Sequence, residues 1–212
     1  MEARFMNLKN FRKSDILASL IIAEADALLL LFILKTIKVQ LPSLLAPFLP
    51  FLPLILPFLA LFYIFVGSLF KKRFSAVFQF FKFTLTGSLN TFIDFAVLNL
   101  LMQAFQLASG WYFSFFKIIS FSCAAVNSYF WNKFWTFKKK ETKVGTKEFS
   151  QFYLITGISL LMNVGLASLI VNVIGLQFGL SETLWANAGA FGGVLGAFIW
   201  NFLGYKFIVF KK

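Results

Sequence analysis

Histidine is absent from this 212-residue chain, and Cys123 is its only cysteine. That removes a disulfide framework, a thiolate or imidazole zinc site and histidine-based proton transfer from consideration. Charge is scarce as well: 13% of residues carry one, and acidic side chains number only 8. A soluble domain keeps roughly a quarter to a third of its surface charged, and this chain has too few charges to cover one. The only sizeable polar stretch, Lys138 to Glu148, is too short for a catalytic domain and reads as a cytoplasmic connector. No small-residue cleavage site follows the first apolar run, so a cleaved signal peptide is not expected. No enzymatic activity, cofactor or metal is expected either. Glu24 and Asp26, the only acidic pair in an apolar run, lie two residues apart and project about 200° from each other on a helix, which excludes a shared metal site.

Apolar residues, by contrast, make up 59% of the chain and include 32 phenylalanines, a composition suited to a bilayer. The net charge of +12 would suggest nucleic acid in a soluble protein, but its distribution is a topology signal. Arg4, Lys9, Arg12 and Lys13 precede the first apolar run, and Lys71, Lys72 and Arg73 follow the second. Lys138, Lys139, Lys140, Lys143 and Lys147 fill the central loop, and Lys211 and Lys212 end the chain. The alternate loops hold only Lys35, Lys38 and Glu182. Nucleic acid is therefore not an expected partner, and both termini are expected in the cytoplasm.

Six apolar segments are expected to span, against the roughly 20 residues needed: Ile16 to Leu34, Leu44 to Phe70, Phe80 to Phe105, Trp111 to Trp131, Phe149 to Ile174 and Leu184 to Phe207. Pro47, Pro50, Pro53 and Pro57 interrupt the second. Each removes a backbone donor, so a regular helix is expected only from about Leu54. Trp111, Tyr112 and Trp185 are placed on one membrane interface, and Tyr129, Trp131, Trp135, Tyr153 and Tyr205 near the other, as belt residues. The last four segments repeat. Lys133-Phe134-Trp135-Thr136-Phe137-Lys138-Lys139 closes one pair and Lys206-Phe207-Ile208-Val209-Phe210-Lys211-Lys212 the next, 73 residues later. A pair of spans returns to its starting side, so the repeats are parallel. The expected fold is an all-α polytopic transmembrane helix bundle: a four-helix core of two parallel two-helix repeats (77–212) and an N-terminal extension with an apolar hairpin (1–76). Gly189, Gly192, Gly193 and Gly196 give the last helix a small-residue face, read chiefly as packing within the bundle and secondarily as a homo-oligomer contact.

Polar residues at bilayer depth cost energy and mark candidate sites. At 1.5 Å per residue, Asp94 lies about 16 Å from Phe105 and Lys117 about 9 Å from Trp111 on the antiparallel neighbour. An extended lysine covers the difference, so an Asp94–Lys117 pair is expected. Asn90 and Asn127 fall at matching depth, and the four together form a candidate polar cleft. The bland alternative is that the pair and the asparagines only hold the bundle together. Asn132 and Asn201 lie near the ends of their segments. Lys82, Lys133 and Lys206 are placed at the inner interface, either snorkelling to water or binding a phosphate.

Phe81-Lys82-Phe83 leading to Gly87, then Asn90-Thr91-Phe92-Ile93-Asp94-Phe95, then Asn127-Ser128-Tyr129-Phe130-Trp131-Asn132-Lys133-Phe134-Trp135-Thr136-Phe137 resemble the GtrA family of small bacterial membrane proteins, over about Gln79 to Lys212. The resemblance implies a role in cell-surface polysaccharide biosynthesis in the cytoplasmic membrane, as a flippase for polyprenyl-phosphate-linked sugars. It also implies a membrane glycosyltransferase as partner. The rival readings are a non-transporting anchor that recruits that glycosyltransferase and a small cation or drug exporter using Asp94. The extension lies outside the resemblance.

Overall fold

The computed structural model describes residues 13–37, 45–137 and 146–209. The side chains of Arg4, Lys9, Arg12, Lys38, Lys138, Lys139, Lys140, Lys143, Lys147, Tyr205, Phe210, Lys211 and Lys212, on which part of the topology reading rests, lie outside that description. The described residues form six α-helices in chain order: α1 (Lys13–Ile37), α2 (Leu52–Leu69), α3 (Ser75–Phe105), α4 (Gly110–Trp131), α5 (Thr146–Ser168) and α6 (Glu182–Gly204). No strand occurs among the described residues. The chain is an all-α polytopic bundle.

Among the described residues five helical stretches are long and apolar enough to cross a membrane, and α4 is not one of them. Its composition is diluted by four serines, Asn127 and Lys117. It nevertheless runs antiparallel beside α3, with Phe116 against Phe105 at one end and Asn127 bonded to Asn90 further along, and the π-helical segment that continues it places Thr136 beside Thr86. Its 22 residues extend about 33 Å, and Ser114, Lys117, Ser120 and Asn127 are bonded to side chains of neighbouring helices, although Ser122 is exposed. Composition alone undercounts a span whose polar side chains are satisfied by a neighbouring helix.

The prolines act where expected. Pro47 and Pro50 lie in a 3₁₀ helix, Ala46–Phe51, that passes directly into α2. Pro53 occupies the first turn of α2, where a missing N–H is tolerated, and only Pro57 interrupts the interior. The α3–α4 turn is closed from a distance. Gly110 has φ +67°, in the left-handed region that favours glycine. Its N–H donates to Asn172 Oδ1 at 2.9 Å, and Asn172 Nδ2 returns a bond to the Gly110 carbonyl at 3.2 Å.

The repeat is structural. Asn132–Thr136 and Tyr205–Val209, the two motif endings, are both π-helical and lie 73 residues apart. Asn99 and Asn187 bond reciprocally at 2.8 and 2.9 Å, joining α3 to α6. Shifting each by the same offset, forward for Asn99 and back for Asn187, gives Asn172 and Ser114, which meet at 3.3 Å and join the π-helical continuation of α5, Leu169–Ile174, to α4. One contact thus maps onto the other when the hairpins exchange places. The hairpins α3–α4 and α5–α6 are therefore related by a pseudo-two-fold axis, as parallel repeats require.

Small residues set how closely the helices approach, since lipid supplies no hydrophobic drive to associate them. A Cβ on Gly193 would collide with the backbone carbonyl of Asn163, and one on Gly189 would meet the Ala167 carbonyl at 3.0 Å. The glycine face of α6 thus packs within the chain against α5 and its continuation, as the packing reading expects. The extension packs on α3: Tyr63 meets Thr84 at 2.5 Å, Asp26 accepts from Ser88 at 2.6 Å, and Gly67 lets Phe81 approach.

Several aromatic belt assignments change. Trp111, Tyr112 and Tyr153 are exposed, as belt residues should be, but Tyr129, Trp135 and Trp185 are buried. Depth places an aromatic ring near an interface, whereas a buried acceptor draws its polar tip inward. Trp185 donates to the Ile170 carbonyl and Trp135 to Asp15.

Candidate functional site

A cavity of about 80 Å³ lies between α3, α4, α5 and α6. Its polar wall consists of Asn90, Thr91, Asp94, Ser128, Asn163 and Asn201. Four pairs among its lining residues are separated by 73 positions: Asn90 and Asn163, Phe121 and Val194, Ala124 and Ala197, Ser128 and Asn201. The cavity therefore sits on the pseudo-two-fold axis. A volume of this size has room for two or three waters, at about 30 Å³ each, and is well below the roughly 300 to 1,000 Å³ of ligand pockets.

All but one of the polar wall residues are held by a neighbour. Asn127 Nδ2 donates to Asn90 Oδ1 at 2.7 Å. Within the second hairpin, Ser159 Oγ of α5 donates to Asn201 Oδ1 of α6. Asn132 is fully buried one turn below Ser128 and donates to its carbonyl at 2.9 Å and its hydroxyl at 3.0 Å. Among the residues lining the cavity Asn163 differs: it is 2% exposed, yet its Oδ1 accepts no hydrogen bond, a condition that Asn132 Oδ1 shares outside the lining. An unmet acceptor of this kind costs about 1 to 3 kcal/mol.

Asp94 and Lys117 form the expected ion pair. Lys117 is fully buried, Asp94 is 2% exposed, and Ser120 Oγ donates to the second carboxylate oxygen at 2.5 Å. Asp94 lines the cavity while Lys117 stands behind it. The corresponding positions of the second repeat are Ala167 and Ala190, both fully buried in one apolar cluster. The same helix–helix contact is thus built once with an ion pair and once with two alanines. The architecture does not require the charges.

The three lysines expected at the inner interface are not brought to one partner among the described contacts. Lys82 is 2% exposed and paired with Asp15, over the rings of Phe78 and Trp135. Lys133 is fully buried and donates to Tyr129 Oη at 3.2 Å. Lys206, half-buried, lies over Phe202 and Phe207. Snorkelling to water does not describe the first two, because a carboxylate, a phenol and aromatic faces meet their charges within the protein.

Two residues central to the site were missed by the sequence reading: Asn163 and Asp15. For Asn163 the signal was present, since the 73-residue offset carries Asn90 onto it.

Residues 82–210 match the GtrA/DPMS transmembrane domain. The chain belongs to this family. The match begins at Lys82, within α3, and covers the rest of both hairpins, the cavity lining and both π-helical endings, leaving α1, α2 and the first seven residues of α3 outside it. No curated protein and no solved structure matches the chain. Membership of the GtrA/DPMS family associates the chain with lipid-linked sugar function in a membrane.

Proposed function

We propose that this GtrA/DPMS protein translocates polyprenyl-phosphate-linked sugars across the cytoplasmic membrane for cell-surface polysaccharide synthesis. The observation that carries this reading is the polar cavity on the pseudo-two-fold axis, with an ion pair on one hairpin only. Helices that merely anchor a partner have no use for a mid-membrane cavity lined by Asn90, Asp94, Asn163 and Asn201, because each polar group there costs insertion energy. A sugar needs many hydroxyl partners away from water, and amides and a carboxylate provide both donors and acceptors. The lipid tail stays in the bilayer and no bond is made or broken, so no catalytic residue is needed.

At about 80 Å³ the cavity represents a closed state. Passage of a sugar requires the hairpins to part along the axis, after which Asn163 Oδ1 is available to a ligand hydroxyl. Both termini and the 138–148 loop face the cytoplasm in this scheme, where a membrane glycosyltransferase loads the lipid. The pairing of Asp94 with Lys117 disfavours a cation exporter, since the carboxylate is already neutralised.

The test is movement of a labelled polyprenyl-phosphate sugar in proteoliposomes of purified protein. The wild type accelerates transbilayer movement and Asn163→Leu slows it. No acceleration by folded wild-type protein would reduce the chain to an anchor for the glycosyltransferase.

A further inference from the structure

Asp15 belongs to α1, outside the residues that match the family, yet it is fully buried and is met by groups from three separate segments. Lys82 of α3 pairs with Oδ1, Trp135 Nε1 of the first π-helical ending donates to the same oxygen at 3.2 Å, and Lys71 from the α2–α3 turn lies 3.9 Å from Oδ2. Lys82 also donates to the Trp135 carbonyl at 3.5 Å, which ties two members of the cradle together without α1. Two ammonium groups and an indole N–H converging on two oxygens is the donor set that a phosphate uses. Lys82 and Trp135 come from the family-matched part; the anion is supplied by the added helix.

We propose that the Lys82, Trp135 and Lys71 cradle is a phosphate site, and that Asp15 is an internal carboxylate that occupies it and must leave before a phosphate can enter. This inference rests on the lipid-phosphate reading for its ligand, but its geometry concerns oxyanion binding alone. Displacement has a defined moving part. Asp15 lies in the first turn of α1, and α1 is held further along by a separate contact, the bond from Ser88 to Asp26. The first turns can lift while the rest of the helix stays docked. An apparent affinity is lowered by the fraction of time a site is closed, so the carboxylate sets a threshold that the correct lipid must exceed. Coupling to the cavity is direct in the chain: Trp135 and Thr136 belong to the π-helical segment that begins at Asn132, whose side chain holds Ser128 in the cavity wall.

Binding to undecaprenyl phosphate in phosphatidylcholine nanodiscs tests this, with undecaprenol and inorganic phosphate as parallel arms. The variants are Asp15→Asn, Lys82→Gln and the double substitution. Asp15→Asn should tighten binding of the phosphate lipid by about tenfold or more if the site is otherwise open a tenth of the time or less. Undecaprenol binding should not change, and the double variant should lose the gain. If inorganic phosphate binds Asp15→Asn as tightly as the lipid does, the site is upheld but its ligand is free phosphate. Unchanged or weaker phosphate-lipid binding by folded Asp15→Asn overturns the proposal. A second measurement keeps Asp15 in place: Ser19→Cys, buried one turn along α1, in a Cys123→Ser background. Undecaprenyl phosphate should raise its rate of maleimide labelling as the first turns lift, and an unchanged rate also overturns the proposal. Failure of sugar translocation with these binding results intact would remove the transport reading and leave the site standing.

Discussion

Substituting Asp94 and Lys117 separately and together separates what the fold needs from what function needs. Both side chains are buried at bilayer depth, and their only described charge partners are each other. Removing one leaves the other as an uncompensated charge, a loss of about 3 to 5 kcal/mol, or roughly two to four orders of magnitude in the folding equilibrium. Removing both recreates the pairing already present at Ala167 and Ala190. Replacing a buried pair by apolar residues is often neutral, although truncation to alanine also leaves a small void. The double variant Asp94→Ala/Lys117→Ala should therefore be more stable than either single variant, with a coupling energy of about 3 kcal/mol. Reversible unfolding in mixed micelles, followed by the folded fraction on size exclusion, measures all four corners of the cycle. Additive losses would refute both the pairing and the argument from the second repeat. The double variant should fold but fail to move the sugar lipid. Wild-type transport by that variant would show that the charges serve neither purpose.

Asn163→Leu removes a buried acceptor that has no partner, so the thermal midpoint should hold or rise while translocation falls; a clear loss of stability would show a hidden structural role. Asn90→Ala leaves the Asn127 amide unpaired and should lower stability by about 0.6 kcal/mol, the average for hydrogen bonds within membranes, and by no more than about 1.7 kcal/mol. Gly193→Leu drives a side chain into the Asn163 carbonyl and should cost at least the roughly 1 to 3 kcal/mol of an overpacked core, read as lost monodispersity in detergent, whereas exposed Gly165→Ala should not. In a Cys123→Ser background, Lys143→Cys should react with an impermeant maleimide only after permeabilisation, and labelling of intact cells would reverse the proposed topology.

The sequence determined by itself those properties that depend on position along a helix axis. A fixed rise per residue converts spacing into depth. That is why the segment ends near Phe105, Trp131 and Ile174, the parallel repeat and the Asp94–Lys117 pairing are all legible in the order of residues alone. Local steric rules do the same for the proline-rich start of α2. What only the tertiary structure decided was azimuth, that is, which neighbour each side of a helix meets. Lys82 and Lys133 have the expected depth near one end of the bundle, but their burial depends on Asp15, which is 67 residues from Lys82 in the chain, and on the Tyr129 phenol. Trp135 and Trp185 have the depth of belt residues and yet turn inward to acceptors on other helices. The pseudo-two-fold axis is implicit in the 73-residue offset, but only the packed hairpins place Asn90, Asn163 and Asn201 around one cavity. Depth is set by counting along one helix, whereas a binding site on an axis exists only once several helices have chosen which faces to share.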